Sequence, residues 1–238
     1  MSAKLKVIAA PICFNEEKKI GSVLDRFEPG LVDKLVVVDD GSTDGSPTEI
    51  SRRGVEILRH ERRQGVGAAI RTAIRYAQQN SFDVIVILAG NDKDRPAEIP
   101  KLVRAIEEGA DFVQGSRYLA GGKTGGMPLY RKFATRLHPW LFSLFTGKRI
   151  TDSTNGFRAM RLSLFAYPRI DLDQDWLNAY ELEPYIFFKA IRLGCRVCEV
   201  PVTKIYPPKE LGYTKMKPIT GWWSILRPIF LLGFGIRK

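Results

Sequence analysis

Three short polar segments of this chain hold residue types from which a ligand site can be built: Asn15-Glu16, Asp39-Asp40 and Gly90-Asn91-Asp92-Lys93-Asp94. Paired carboxylates suit contacts to hydroxyls, ring nitrogens or a metal. Asp92 and Asp94 flank Lys93, and two hard oxygen donors this close suit Mg²⁺ or Mn²⁺ held jointly with substrate phosphates. Each segment also has a plainer reading. Acids are common in the turn after a strand, and Asp94 can serve as an acidic N-cap for a helix starting at Pro96. A fourth segment, Gly65-Val66-Gly67, opens an alanine-rich helix. Glycines let a backbone approach a ligand closely, and a helix N-terminus favours anions.

The elements that position these residues alternate. Val7 to Ala10, Leu35 to Val38, Val55 to Leu58, Phe82 to Leu88 and Asp111 to Gln114 read as strands. Between them, Glu16 to Arg26, a short segment from Ser46, Gly67 to Gln79 and Pro96 to Gly109 read as helices. Strand–helix alternation predicts an α/β fold with a mostly parallel sheet covered by helices. The three polar segments then fall at strand ends along one sheet edge, where such folds bind nucleotides. The second half is less regular. Tyr130 to Phe145 is apolar, basic and helical in pattern, Thr154 to Met160 reads as a loop or edge strand, Tyr180 to Arg192 as a helix and Arg196 to Val202 as a strand. Tyr206 to Thr220 is loop-like.

The 238 residues carry a net charge of +11, unevenly spread. Gly115 to Arg169 has ten Lys/Arg against Asp152 alone, and Pro201 to Lys238 has seven against Glu210 alone. Such asymmetry points to an anionic partner for the second half. Nucleic-acid motifs are not recognisable, so no nucleic acid is expected. No signal peptide is evident, and no apolar run reaches the roughly 18 residues that span a bilayer. Three cysteines give no disulfide framework. A cytoplasmic setting is expected.

Taken together the motifs resemble family 2 glycosyltransferases of the GT-A (Rossmann-like) fold. The resemblance is carried by Phe14-Asn15-Glu16, Val38-Asp39-Asp40-Gly41-Ser42, Gly65-x-Gly67-x-Ala69 and Arg95-Pro96-Ala97-Glu98-Ile99. Further on it is carried by Gly115-Ser116-Arg117-Tyr118, Thr151-Asp152-x-x-Asn155-Gly156-Phe157-Arg158-Ala159 and Glu199-Val200-Pro201-Val202. These look most like the polyprenyl-phosphate (dolichyl-phosphate) sugar transferase branch.

The resemblance implies a single domain. Residues 1–114 form its nucleotide-sugar-binding half and residues 115–218 its acceptor-binding half. The dense apolar residues of 219–238, beside Arg227, Arg237 and Lys238, read as an amphipathic tail that either lies on a membrane interface or packs as a helix on the domain's own surface or in a dimer. The resemblance also implies a UDP- or GDP-sugar donor, Mg²⁺ or Mn²⁺, a polyprenyl (dolichyl or undecaprenyl) phosphate acceptor and inversion by direct displacement. Asn15, Glu16, Asp39, Asp40, Gly65, Gly67 and Asn91 are assigned to the donor, and Asp92 and Asp94 to the metal. Arg117 and Arg131, with Arg158 as a further candidate, are assigned to the acceptor phosphate. The family's acidic motif is Asp-x-Asp-x-Gln; here Gly90 replaces the first acid and Asp94 the Gln. A hydroxyl acceptor would instead need a carboxylate base, for which Asp152, Glu181 and Glu183 are candidates. Asp152 paired with Arg149 or Arg158 is the structural alternative. A soluble transferase, or a nucleotide-binding relative without catalysis, are the competing functions. The enzyme is expected on the cytoplasmic face of a membrane, as a peripheral protein, with homo-oligomerisation open.

Overall fold

Seven strands form the central sheet in the computed structural model, which describes residues 4–211 and 220–237. They are β1 (Val7–Cys13), β2 (Lys34–Asp39), β3 (Glu56–Arg59), β4 (Val84–Ala89), β5 (Phe112–Ser116), β7 (Arg158–Arg161) and β8 (Val197–Pro201). Two three-residue strands, β6 (Lys123–Gly125) and β9 (Thr203–Ile205), pair separately. The helices are α1 (Glu17–Leu24), α2 (Ser46–Ser51), α3 (Val66–Gln79), α4 (Ile99–Glu107), α5 (Leu129–Thr146), α6 (Leu182–Arg192) and α7 (Thr220–Gly233).

The strand order is β3-β2-β1-β4-β7-β5-β8, parallel except for β7. The chain runs outward from β1 to β3, then returns to the other side of β1 as β4. That reversal is the switch point of an open α/β sheet, and loops leaving β1 and β4 meet there. The continuous apolar runs of β1, β2 and β4 are explained by burial on both faces. One face packs Ile20, Ile50, Ile99 and Ile106 from α1, α2 and α4. The other packs Ala69, Ala73 and Ile74 of α3 with Phe142, Phe187 and Ile229 of α5, α6 and α7. Phe112 and Phe142 both lie against Phe187, with ring centroids 4.8 Å apart in each case.

Two sequence expectations change. The segment read as a loop or edge strand contains β7, which lies inside the sheet between β4 and β5. β5 crosses the boundary expected at residue 114, so both halves share one sheet. Beyond residue 219 the chain forms a helix docked on α5 and α6, with Ile225, Ile229 and Leu232 buried. Much of the Tyr206–Thr220 stretch lies outside the described residues.

His138 of α5 joins this docking. It is 1% exposed, its Nδ1 is 2.7 Å from Ser153 Oγ and its Nε2 is 3.2 Å from the carbonyl of Ile225 in α7. Burial pushes its pKa down to about 4. An unfolded histidine titrates near 6.5, so the unfolded chain takes up the proton first. The stability is full above about 6.5 and is lost as pH falls toward about 4, by about 3 kcal/mol. Melting curves between about pH 7 and about pH 5 should show a falling midpoint, and His138→Gln should flatten that dependence.

Candidate active site

The loop after β1 and the loop after β2 are tied to each other. Asn15 Oδ1 accepts from the Thr43 amide at 2.8 Å, and the Asn15 and Glu16 amides donate to Ser42 Oγ and Ser46 Oγ at 2.8 and 2.7 Å. Asp39 is fully buried; it accepts from the Ser42 hydroxyl and amide and lies 3.3 Å from Arg59 Nε. Asp40 accepts from the Gln64 and Gly65 amides, both at 2.8 Å, and from His60 at 2.9 Å. His60 in turn reaches Thr72 Oγ1 on α3 at 2.9 Å. The Asp-Asp pair thus shapes the glycine loop and anchors α3. Asp40 also lines a cavity; Asp39 does not.

Gly65 and Gly67 serve packing, and of the two only Gly65 lines the cavity. A Cβ on Gly65 would sit 2.3 Å from the Asn178 carbonyl oxygen, and one on Gly67 would sit 2.0 Å from that of Leu177. The start of α3 is pressed against the 175–179 segment, and the Ala68 amide donates to the Asn178 carbonyl at 3.1 Å. Gly67→Ala should therefore destabilise the fold by about 1–3 kcal/mol, read by chemical denaturation.

The cavity has a volume of about 490 Å³ and opens along the switch point. Asn15, Glu16, Asp40, Gly65 and Asn91 line it together with Arg117, Arg131, Thr154 and Glu183. It thereby gathers donor-assigned and acceptor-assigned residues around one space. Lys93 of the acidic motif and Trp222 of the C-terminal apolar segment join them, as do Tyr180, Lys204 and Tyr206, which sequence patterning alone does not single out. Lys93 Nζ lies 4.7 Å from the Tyr206 ring centroid and the Arg131 guanidinium carbon 5.6 Å from it, so both cations contact one ring. Burial first, then the nearby charges of Lys204 and Arg131, push Lys93 down to about 7. Arg131 Nε and Nη1 are buried without a hydrogen-bond partner among the described residues.

The carboxylates near the cavity are already paired. Asp152 is fully buried and binds Arg117 through Nε at 2.6 Å and Nη2 at 2.7 Å. Burial works to raise its pKa, but the Arg117 charge and hydrogen bonds outweigh it and hold the carboxyl low. The partner expected from sequence, Arg149 or Arg158, is therefore replaced by Arg117. Glu199 fixes this loop by accepting from the Thr151 and Asp152 amides, both at 2.8 Å. Glu183 pairs with Arg158 at 3.1 Å and Glu181 with Arg227 at 2.8 Å. Arg158 does not line the cavity. None of the three candidate bases is a free carboxylate.

The acidic motif is paired too. Asp94 is fully buried side chain and all, with Oδ1 2.5 Å from Lys204 Nζ. Lys204 Nζ also donates to Asn155 Oδ1 at 3.0 Å. Asp92, in a left-handed backbone conformation, pairs with Arg26 and lies outside the cavity lining. No cluster of three or more His, Cys, Asp or Glu side chains that could hold a metal occurs among the described residues. A divalent ion needs carboxylate oxygens turned toward it, free of competing cations. In this arrangement Asp92 and Asp94 do not offer them.

The family description "Glycosyl transferase family 2" matches residues 12–167, which spans the strand-end loops and the Asp152–Arg158 segment. The chain belongs to glycosyl transferase family 2. It is a glycosyltransferase of the GT-A fold. It is 31% identical over 222 residues to an undecaprenyl-phosphate mannosyltransferase from Micrococcus luteus, covering 89% of this chain and 88% of that one. It is 32% identical over 242 residues to a dolichol-phosphate mannosyltransferase from Pyrococcus furiosus, covering 96% of this chain and 64% of that one. Among solved structures, glucosyl-3-phosphoglycerate synthase from Mycobacterium tuberculosis in complex with Mn²⁺, UDP and glucosyl-3-phosphoglycerate superposes with a TM-score of 0.69. That match covers 99% of this chain and 82% of the other at 22% identity, so it bears on the fold.

Proposed function

We propose that this family 2 enzyme transfers a sugar from a nucleotide-sugar to a polyprenyl phosphate. One observation carries the reading. The cavity lining includes Lys93, Arg117, Arg131 and Lys204, while each candidate base is held by an arginine. An acceptor phosphate is already an anion and needs cations to position it. A hydroxyl acceptor needs a base, and Asp152, Glu181 and Glu183 are each engaged by a guanidinium, with Arg117 holding the Asp152 carboxyl low. The relatives named for undecaprenyl phosphate and dolichol phosphate support the same acceptor class.

In this reading Glu16, Asp40, Gly65 and Asn91 border the nucleotide, and Arg131 holds the acceptor phosphate. Arg117, locked on Asp152, contributes its remaining Nη1. A phosphate oxygen attacks the anomeric carbon as the bond to the donor diphosphate breaks, with inversion, and the nucleoside diphosphate leaves. The Mg²⁺ or Mn²⁺ expected from the resemblance has no fitting pair of ligands in Asp92 and Asp94, so no step is assigned to it.

A membrane-facing surface fits a lipid acceptor. Leu129, Phe133, Leu137, Trp140 and Leu144 of α5 recur every three or four residues, and all are exposed, Leu129 at 80% and Phe133 at 71%. Lys132 and Arg136 stand exposed on the same helix. An apolar stripe with basic neighbours suits the interface of an anionic bilayer. The surface called for by the C-terminal apolar residues is thus better supported on α5, with Trp223 of α7 also exposed. Phe133→Glu combined with Trp140→Glu should abolish flotation with anionic vesicles; unchanged flotation would remove α5 from the reading.

The test of the function itself is a panel of UDP- and GDP-sugars with undecaprenyl and dolichyl phosphate, read as lipid-linked sugar by mass spectrometry. One donor should give product. Turnover with soluble hydroxyl acceptors alone would overturn the reading.

A further inference from the structure

We infer that the positive charge facing the leaving diphosphate is supplied by Lys93, with Lys204 holding the acidic motif in place, and that donor binding therefore needs no divalent metal. The inference rests on the proposed donor site. Four observations carry it.

First, the carboxylates that would hold a metal are spent inside the protein. Asp94 is bound by Lys204, which is itself tethered to Asn155, and Asp92 is bound by Arg26. Second, Gly90 stands where the family has its first acid, and the space is closed. A Cβ there would lie 3.0 Å from both the Ile12 carbonyl oxygen and Ile20 Cδ1, while the Gly90 amide donates to that same carbonyl at 2.8 Å. A side chain there would need the Ile12 carbonyl and the Ile20 side chain to give by a few tenths of an ångström.

Third, a cation occupies the centre of the motif. Lys93 is 5% exposed and lines the cavity between Asp92 and Asp94, on the Tyr206 side. The charges of Lys204 and Arg131 act on it more strongly than the opposing ones of Asp94 and Glu16. A diphosphate beside Lys93, Lys204 and Arg131 would relieve the repulsion among these cations. Fourth, Lys93 and Arg131 both lie against the Tyr206 ring, 4.7 and 5.6 Å from its centroid. Two phosphate groups, one leaving and one attacking, can be addressed by separate cations there.

Lys204 is a positioning residue in this scheme. It keeps the buried Asp94 neutralised so that Lys93 can face the ligand. Lys93 is the residue that meets the leaving group.

The full chain should be titrated calorimetrically with UDP and with GDP, in EDTA and then with Mg²⁺ or Mn²⁺. The expected result is binding of one nucleotide in EDTA, with an affinity within about two-fold of that in metal. Lys93→Met should weaken it by about ten-fold or more, the scale of one charge-assisted hydrogen bond, and Lys93→Arg should restore most of it. Sugar transfer in EDTA should follow the same order. Binding or transfer that appears only with metal, or a Lys93→Met protein that binds as wild type, would overturn the inference while leaving the proposed transferase intact. If Lys93→Met fails to fold, the wild-type comparison in EDTA decides alone. Absence of nucleotide binding in every buffer would sink the donor site, and with it both readings.

Discussion

Arg117→Ala should destabilise the protein by about 3–5 kcal/mol, enough to unfold much of it at ordinary temperature. The reason is the charge left behind. Asp152 is completely buried and takes two hydrogen bonds from the Arg117 side chain and one from its backbone. Removing the guanidinium strands an uncompensated carboxylate next to the end of β5. The double variant Arg117→Met with Asp152→Leu should recover much of the loss, because it removes both buried charges. Urea denaturation of the single and double variants measures both statements. A single variant as stable as wild type would show that the pair is not the structural clamp described here.

Arg131→Met should have the opposite profile: little change in stability and a loss of about a hundred-fold or more in transfer. Arg131 Nε and Nη1 have no hydrogen-bond partner among the described residues, so the folded chain gains little from them. Buried donors without partners are a cost that a ligand can remove. The Tyr206 ring and the start of α5 hold the guanidinium at the cavity. Loss of activity with an unchanged melting temperature separates a substrate-facing residue from a structural one. The effect should appear in kcat/KM for the lipid phosphate more than in nucleotide affinity. Lys at this position should recover only part, since it offers a point charge in place of a planar fork.

The first half of the fold is legible in the sequence because its strands are continuous apolar runs and its helices follow them at short spacing. β7 is not, for a physical reason. Arg158-Ala159-Met160-Arg161 carries two arginines in four residues, and Arg158 is buried only because Glu183 and the Asn155 carbonyl receive it. β6 and β9 are three residues each and have no pattern to read. The cavity-lining segments Asn15-Glu16 and Asn91, and Asp40 among the acids, are legible as strand-end polar residues. Their partners are not. Asp94 meets Lys204, Asp92 meets Arg26 and Asp152 meets Arg117, each across a long stretch of chain. Charge pairing at such separations depends on the folded topology, so sequence spacing gives Asp92 and Asp94 as open donors when both are engaged. The apolar spacing on α5 is visible in the sequence, but which side the core covers is set by α6 and α7.

One measurement bears most directly on the transferase. The purified chain is given a single productive nucleotide-sugar and two acceptors of equal chain length, a polyprenyl phosphate and the corresponding polyprenol. Product from the phosphate and none from the alcohol, with product lost in Arg131→Met, is the predicted result. Transfer to the alcohol at a comparable rate would mean that a carboxylate base is working in this cavity, and would contradict the phosphate acceptor.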